Sequence, residues 1–240
     1  MNLERNHLAG GRVKRNGVTP MRTTGRLFSL LLLAAIAGCQ TSRPIEDVMA
    51  DGVAAYDRED YTTARSDFTE YVERRSVDHR GQYQLGRTLL VQGEPKLAAE
   101  HLRLAYDLEP QEDGYLDTLA EALYQASDLD ELFRLLKANT DDPGYAEDYV
   151  RLGTYAARIG DADQAEPALI TAVKIDQGQS AAPLIALAEF YRSVADTPNE
   201  KKALVRAYHI DPLNEDVTTR LRELGVTPGP TLAIEPDDDF

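Results

Sequence analysis

A recurrence of small residues at intervals of about 34 positions constrains this chain more than any other feature of its sequence. The stretch QLGRTLLVQGEPKLAAEHLRLAYDLEP, residues 84 to 110, carries the small residues Gly86, Ala98 and Ala105 among the large apolar residues Leu85, Leu89 and Leu102. Gly52 and Ala64 stand one interval upstream, and Gly153, Ala165 and Ala172 return two intervals downstream. Small side chains let packed backbones approach closely, and large apolar ones fill the space beside them. A fixed period of this length marks an array of repeated units in place of a single irregular core.

The residues of this stretch resemble the tetratricopeptide repeat. In a unit numbered from His79, Leu85 and Gly86 fall at positions 7 and 8, Leu89 at 11, Ala98 at 20, Leu102 at 24, Ala105 at 27 and Pro110 at 32, which are signature positions of that family. The proline fits the end of a second helix, which it cannot continue. Further units start at Ile45, Asp113, Ala146 and Ala181, so that successive starts lie 34, 34, 33 and 35 residues apart. The resemblance implies an all-α fold, a right-handed superhelical solenoid of five helix-turn-helix units over 45-78, 79-112, 113-145, 146-180 and 181-214. Departures are visible: Tyr71 replaces an alanine in the first unit, Leu132 and Asn139 replace small residues in the third, and Glu200 does so in the fifth. Tryptophan is absent, and position 4 holds Val48, Gln82, Leu116, Tyr149 or Leu184. The third unit is therefore expected to pack more loosely. Val217, Leu221 and Leu224 line one face of a short helix over 215-225, expected to cover the open end of the array. Residues 226-240, with two early prolines and a final acidic cluster, are read as a disordered acidic tail.

Ahead of the repeats, Arg22 and Arg26 precede an apolar run from Leu27 to Ala37, then Gly38 and the chain's one cysteine, Cys39. The run is well short of the roughly 20 residues a spanning helix needs, and its charged, apolar, small-residue order is that of a secretory signal. Ile36-Ala37-Gly38-Cys39 resembles the lipobox of bacterial lipoproteins. That resemblance implies lipid on Cys39, removal of a basic leader and signal over 1-38, a tether over 39-44, and stable anchoring by several acyl chains. Gln40 after the cysteine favours the outer membrane, facing the periplasm. An uncleaved inner-membrane anchor is the alternative.

Without residues 1-38 the chain would keep 20 basic and 40 acidic residues, which argues against nucleic-acid binding, since neutralising phosphates needs a basic surface. His7, His79, His101 and His209 have no metal-ligand spacing, and no nucleophile elbow, phosphate loop or dinucleotide fingerprint occurs. No enzyme activity, small-molecule substrate or cofactor is expected, and an enzyme subunit with a site in the groove is the rival reading.

In the resembling family the first helix of each unit lines a groove through positions 2, 5, 9, 12 and 13. Carried over, these give Met49, Val53 and Tyr56, then Arg80, Tyr83 and Arg87. The third unit supplies Asp117, Glu121, Tyr124 and Gln125, the fourth Val150, Thr154 and Arg158, and the fifth Ile185, Glu189 and Arg192. Aromatic and arginine side chains are common interface anchors. The lysine-asparagine pair of the family's carboxylate-gripping members is replaced by Met49 and Val53, so that function is not carried over. Arg80 and Arg87 suit an acidic partner segment, because guanidinium pairs well with carboxylate. The expected role is a scaffold for a protein or peptide partner, similar to pilus pilotins, the repeat lipoprotein of the barrel-assembly machine, or adaptors for peptidoglycan hydrolases.

Overall fold

A computed structural model describes residues 43–112, 114–141, 145–230 and Leu232. The leader and signal, Cys39 and the acidic end of the tail lie outside the described residues. Those described form eleven α-helices and no strand. The helices fall in pairs: α1 (Ile45–Asp57) with α2 (Tyr61–Arg74), α3 (His79–Val91) with α4 (Pro95–Leu108), and α5 (Tyr115–Gln125) with α6 (Leu129–Thr140). Next come α7 (Ala146–Arg158) with α8 (Ala162–Asp176), α9 (Ala182–Ser193) with α10 (Thr197–Ile210), and then α11 (Glu215–Glu223) alone. Each helix packs on the next in sequence, and the first helices of successive pairs also meet, as in α1 with α3 and α7 with α9. That connectivity defines a solenoid, in which each repeat touches only its neighbours.

The recurring glycines sit where the two helices of a pair cross. A Cβ on Gly52 would lie 2.6 Å from the Phe68 ring, one on Gly86 2.6 Å from Leu102 Cγ, and one on Gly153 2.6 Å from Leu169 Cγ. The partner side chain thus occupies the volume a methyl would need, and Ala64, Ala98 and Ala165, all fully buried, keep the other side of each crossing thin. Between the helices of every pair the chain turns through one residue of positive φ: Glu59, Gly93, Ser127, Gly160 and Ala195. The residue after it opens the second helix. Asp60, Asp128, Asp161 and Asp196 accept hydrogen bonds from the backbone N–H three residues on, at 3.1, 3.4, 3.1 and 3.2 Å, satisfying a donor that the helix itself leaves unpaired.

The departures from the repeat pattern have structural counterparts. Tyr71, in place of alanine, is fully buried; its ring lies where a Cβ on Gly81 would come within 2.5 Å, and its hydroxyl donates to Asp78 at 2.9 Å. Gly81 makes the room that alanine at position 27 would otherwise have provided. Leu132 is buried on α6 where the first, second and fourth crossings have alanine, and α5 and α6 share the sparsest contact of the five pairs. At position 4, buried Gln82 bridges polar groups: its amide donates to the Ser76 carbonyl at 2.6 Å and its oxygen lies 2.7 Å from His101 Nδ1. Burial depresses the basicity of that imidazole, consistent with a neutral ring donating to Gln82.

Glu200 is buried too, in place of alanine, and Arg220 of α11 meets it with two bonds of 2.6 and 3.1 Å. The terminal helix is thereby clasped to α10 while its apolar side buries Val217 and Leu221. The following segment differs from the expected disorder in its first residues. Val226 and Leu232 pack on the C-terminal apolar cluster, and the Leu232 carbonyl lies 2.7 Å from His209 Nε2. Two apolar side chains and one carbonyl find partners there, which composition alone does not reveal.

Candidate partner-binding groove

The expected groove residues lie on the first helices α1, α3, α5, α7 and α9, and five of them, Tyr56, Arg87, Glu121, Tyr124 and Arg158, engage each other across the joints between units. Tyr56 of α1 lies under Arg87 of α3, with the guanidinium carbon 3.7 Å from the ring centroid, a cation–π geometry. Tyr83 of α3 stacks on Tyr115 of α5 at 4.3 Å, and its hydroxyl is 3.2 Å from Thr118 Oγ1. His79 Nδ1 lies 2.9 Å from the Tyr115 hydroxyl. Burial and nearby acidic groups push that phenol up to about 12.

Between α5 and α7 the pairing is denser. Arg158 bonds Glu121 through both oxygens at 2.6 and 3.2 Å while lying 3.8 Å from the Tyr124 ring centre and 4.9 Å from that of Tyr155. The Tyr155 hydroxyl donates to Glu121 at 3.1 Å, and the Gln125 amide donates to the same carboxylate at 2.9 Å. The Arg158 bond, opposed by partial burial, holds the Glu121 carboxyl below its ordinary range. Burial and the adjacent Glu121 charge push the Tyr155 phenol up. Asp117 is bound by Arg151 Nε at 2.5 Å, and Arg151 also reaches Asp148 at 2.8 Å.

The remaining expected residues are less involved. Arg80 reaches back to Asp78 at 3.3 Å. Thr154 is half-buried on α7. Glu189 and Arg192 are exposed on α9 and line a small pocket with Ile185, Asp216 and Arg220 against the terminal helix. The sequence reading missed Tyr115, Thr118, Arg151 and Tyr155. Two of them carried a usable signal: Arg151 stands 34 residues after Asp117, and Tyr155 34 after Glu121. A cation and a hydroxyl one period away from a carboxylate fall on adjacent first helices.

These pairings divide the row. Toward α5 and α7 the charges are mutually neutralised. Toward α1 and α3, Arg87 is half-buried on an aromatic face, and among the described residues it has no hydrogen bond or ion pair. Met49, Val53, Tyr83 and Leu90, on the same two helices, are partly buried and pack against the first apolar cluster. Among the described residues no group of three or more histidine, cysteine, aspartate or glutamate side chains is placed to hold a metal ion, and no described helix is long and apolar enough to cross a membrane.

Paired helices with small residues at each crossing, each pair packed on its neighbours among the described residues, define the tetratricopeptide-repeat solenoid. Solved structures of that fold match it. TTC0263, a thermophilic repeat protein of Thermus thermophilus, superposes with a TM-score of 0.52 at 23% identity over 75% of this chain and 98% of its own. A MamA protein gives 0.54 at 17% identity over 78% and 98%, and MamA residues 41 to the end from Desulfovibrio magneticus RS-1 give 0.55 at 15% over 71% and 97%. A scan against protein-family models returns no match, and neither does a search of curated proteins.

Proposed function

We propose that this protein is a lipid-anchored scaffold of the bacterial cell envelope that docks a segment of another protein on its row of first helices. A repeat solenoid supplies extended surface, which supports protein–protein interaction as its general use. The observation that carries the finer reading is Arg87: a guanidinium backed by Tyr56 and without a hydrogen bond or ion pair among the described residues. A carboxylate of a partner segment would complete it, since Arg–carboxylate bonds are directional and charge-assisted. Acylation at Cys39, export to the outer membrane facing the periplasm, and a part in assembling an envelope machine complete the proposal and rest on the sequence signals.

Two experiments test the two halves. Labelling cells with a palmitate analogue is expected to mark the wild-type protein and not Cys39→Ala; label retained in the variant rejects the anchor. A photo-crosslinking residue at Val91, half-exposed at groove position 13 of the second unit, is expected to trap a discrete partner. The same residue at Leu104 on the second helix α4 is expected not to, and Arg87→Glu should abolish the Val91 adduct. Equal adducts from Val91 and Leu104, or an adduct indifferent to Arg87→Glu, reject the docking row.

A further inference from the structure

The first described residue, Arg43, is fastened to both helices of the first pair through its side chain and its backbone. Arg43 Nη2 bonds Asp67 at 2.6 Å and Glu70 at 2.8 Å, both on α2, and its Nη1 reaches Asp51 on α1 at 3.2 Å. Its carbonyl accepts from Arg74 at 2.9 Å. Asp67 is buried, so the guanidinium satisfies a charge that would be costly to leave unpaired. One carboxylate would suffice for an arginine; this one has three, from two helices, and its backbone is held as well.

Among the described residues the other joints are built differently. Asp78, which precedes α3, caps that helix through the Arg80 and Gly81 N–H groups and accepts from Tyr71 of α2 at 2.9 Å; before α7 the Tyr145 N–H donates to Asp148 at 3.4 Å; and Gly114 and Ala181 make no side-chain cap bond. The solenoid therefore does not require such a clamp to start a unit. The clamp lies where the chain departs toward Cys39, four residues away, a span of at most about 14 Å when fully extended.

The same end of the array carries an apolar tip. Arg74 ties the end of α2 to Arg43, and Arg75 reaches Glu46 at the start of α1 at 3.1 Å. The turn that follows exposes Val77 at 76%. From this placement we propose that Arg43 fastens the array at a fixed stand-off from the bilayer, so that the start of α1 and the α2–α3 turn, with Val77 at its tip, rest on the lipid headgroups. The proposal rests on acylation at Cys39. Its partner is the lipid surface itself: the short span from Cys39 to the clamped Arg43 brings that surface within reach of Val77.

The test uses the full lipidated chain in phosphatidylethanolamine–phosphatidylglycerol vesicles containing a nitroxide-headgroup lipid. Cys39, the one native cysteine, is blocked by its lipid, so Val77→Cys or Leu213→Cys accepts a single fluorophore. Leu213, 88% exposed beside the terminal helix, lies at the other end of the array. Strong quenching is expected at position 77 and little at 213. Arg43→Gln should bring position 77 down to the level of 213. A twelve-residue glycine–serine insertion between Ser42 and Arg43 should do the same with the clamp intact, which covers the case in which Arg43→Gln melts the first unit. Equal quenching at 77 and 213 in the parent, or quenching at 77 unchanged by the insertion, overturns the proposal. Vesicle association that survives Cys39→Ser instead overturns the lipid anchor on which it rests.

Discussion

Gly86 shows what a hydrogen in place of a methyl accomplishes in this array. Its missing Cβ would meet Leu102 Cγ at 2.6 Å and the Ala98 carbonyl oxygen at 3.2 Å, and the second obstacle is backbone, which cannot rotate aside. Gly86→Ala is expected to lower stability by about 1–3 kcal/mol, read from urea unfolding, and the added change Leu102→Val should recover part of the loss. The turn residue of positive φ makes the opposite case. Ala195 has φ 60°, a conformation that costs a residue with a Cβ roughly 1–2 kcal/mol. Glycine there loses more freedom on folding, so Ala195→Gly is expected to gain up to about 1 kcal/mol. The glycines of the crossings were legible in sequence because they recur with the alanines that face them. The turn positions were not, since Gly93 and Gly160 share their role with Glu59, Ser127 and Ala195, and three unlike residues hide a common backbone. The aspartates that follow at 60, 128, 161 and 196 were the readable sign of that turn.

Between elements, charge pairs do what apolar contact does elsewhere. The Glu121–Arg158 pair joins α5 to α7, and the Arg158 bond keeps the Glu121 carboxyl below its ordinary value of 4.5. A depressed folded-state value stabilises the fold above the ordinary one, and that contribution disappears as pH falls through the folded-state value. Glu121→Gln is therefore expected to flatten the acid limb of the stability curve below about pH 4.5, with the thermal midpoint measured at steps from pH 7 to pH 3. An unchanged slope counts against the pair. The terminal clasp obeys a harsher rule, because one partner is buried: Arg220→Ala leaves Glu200 without its partner. The variant is expected to lose thermal stability by several degrees, whereas Glu200→Ala/Arg220→Ala should lose clearly less. Sequence reading placed α11 correctly as an amphipathic helix and noted Glu200 as a departure. It did not connect them, because a buried carboxylate twenty residues from an arginine has no periodic signature. For the groove it named Glu121 and Arg158 as docking residues without revealing that they are each other's partners.

Across the whole array the apolar interior falls into two clusters, one built mainly from α1 to α7 and one from α7 to α11, with Phe133 of α6 touching both. Helix α6 makes sparse contact with α5 before it and α7 after it. Amides of α6 are accordingly expected to exchange with deuterium faster than those of α4 and α8, measured by hydrogen exchange in native buffer. Equal protection along the array would show a single cooperative unit. This unevenness was partly legible: Leu132 and Asn139 break the small-residue rule in the third unit, whose two helices make the sparsest contact of the five pairs.

The buried Glu200 also bears on how such a chain changes in length. The buried carboxylate in the alanine position of α10 is bonded by Arg220 of α11, so the fifth pair cannot exchange places with an inner one without losing that partner. Duplication of the second or fourth pair, whose crossings are nearly interchangeable, would insert quietly. Such a ruler lengthens most readily from the middle, while its fifth division is matched to the helix that follows it.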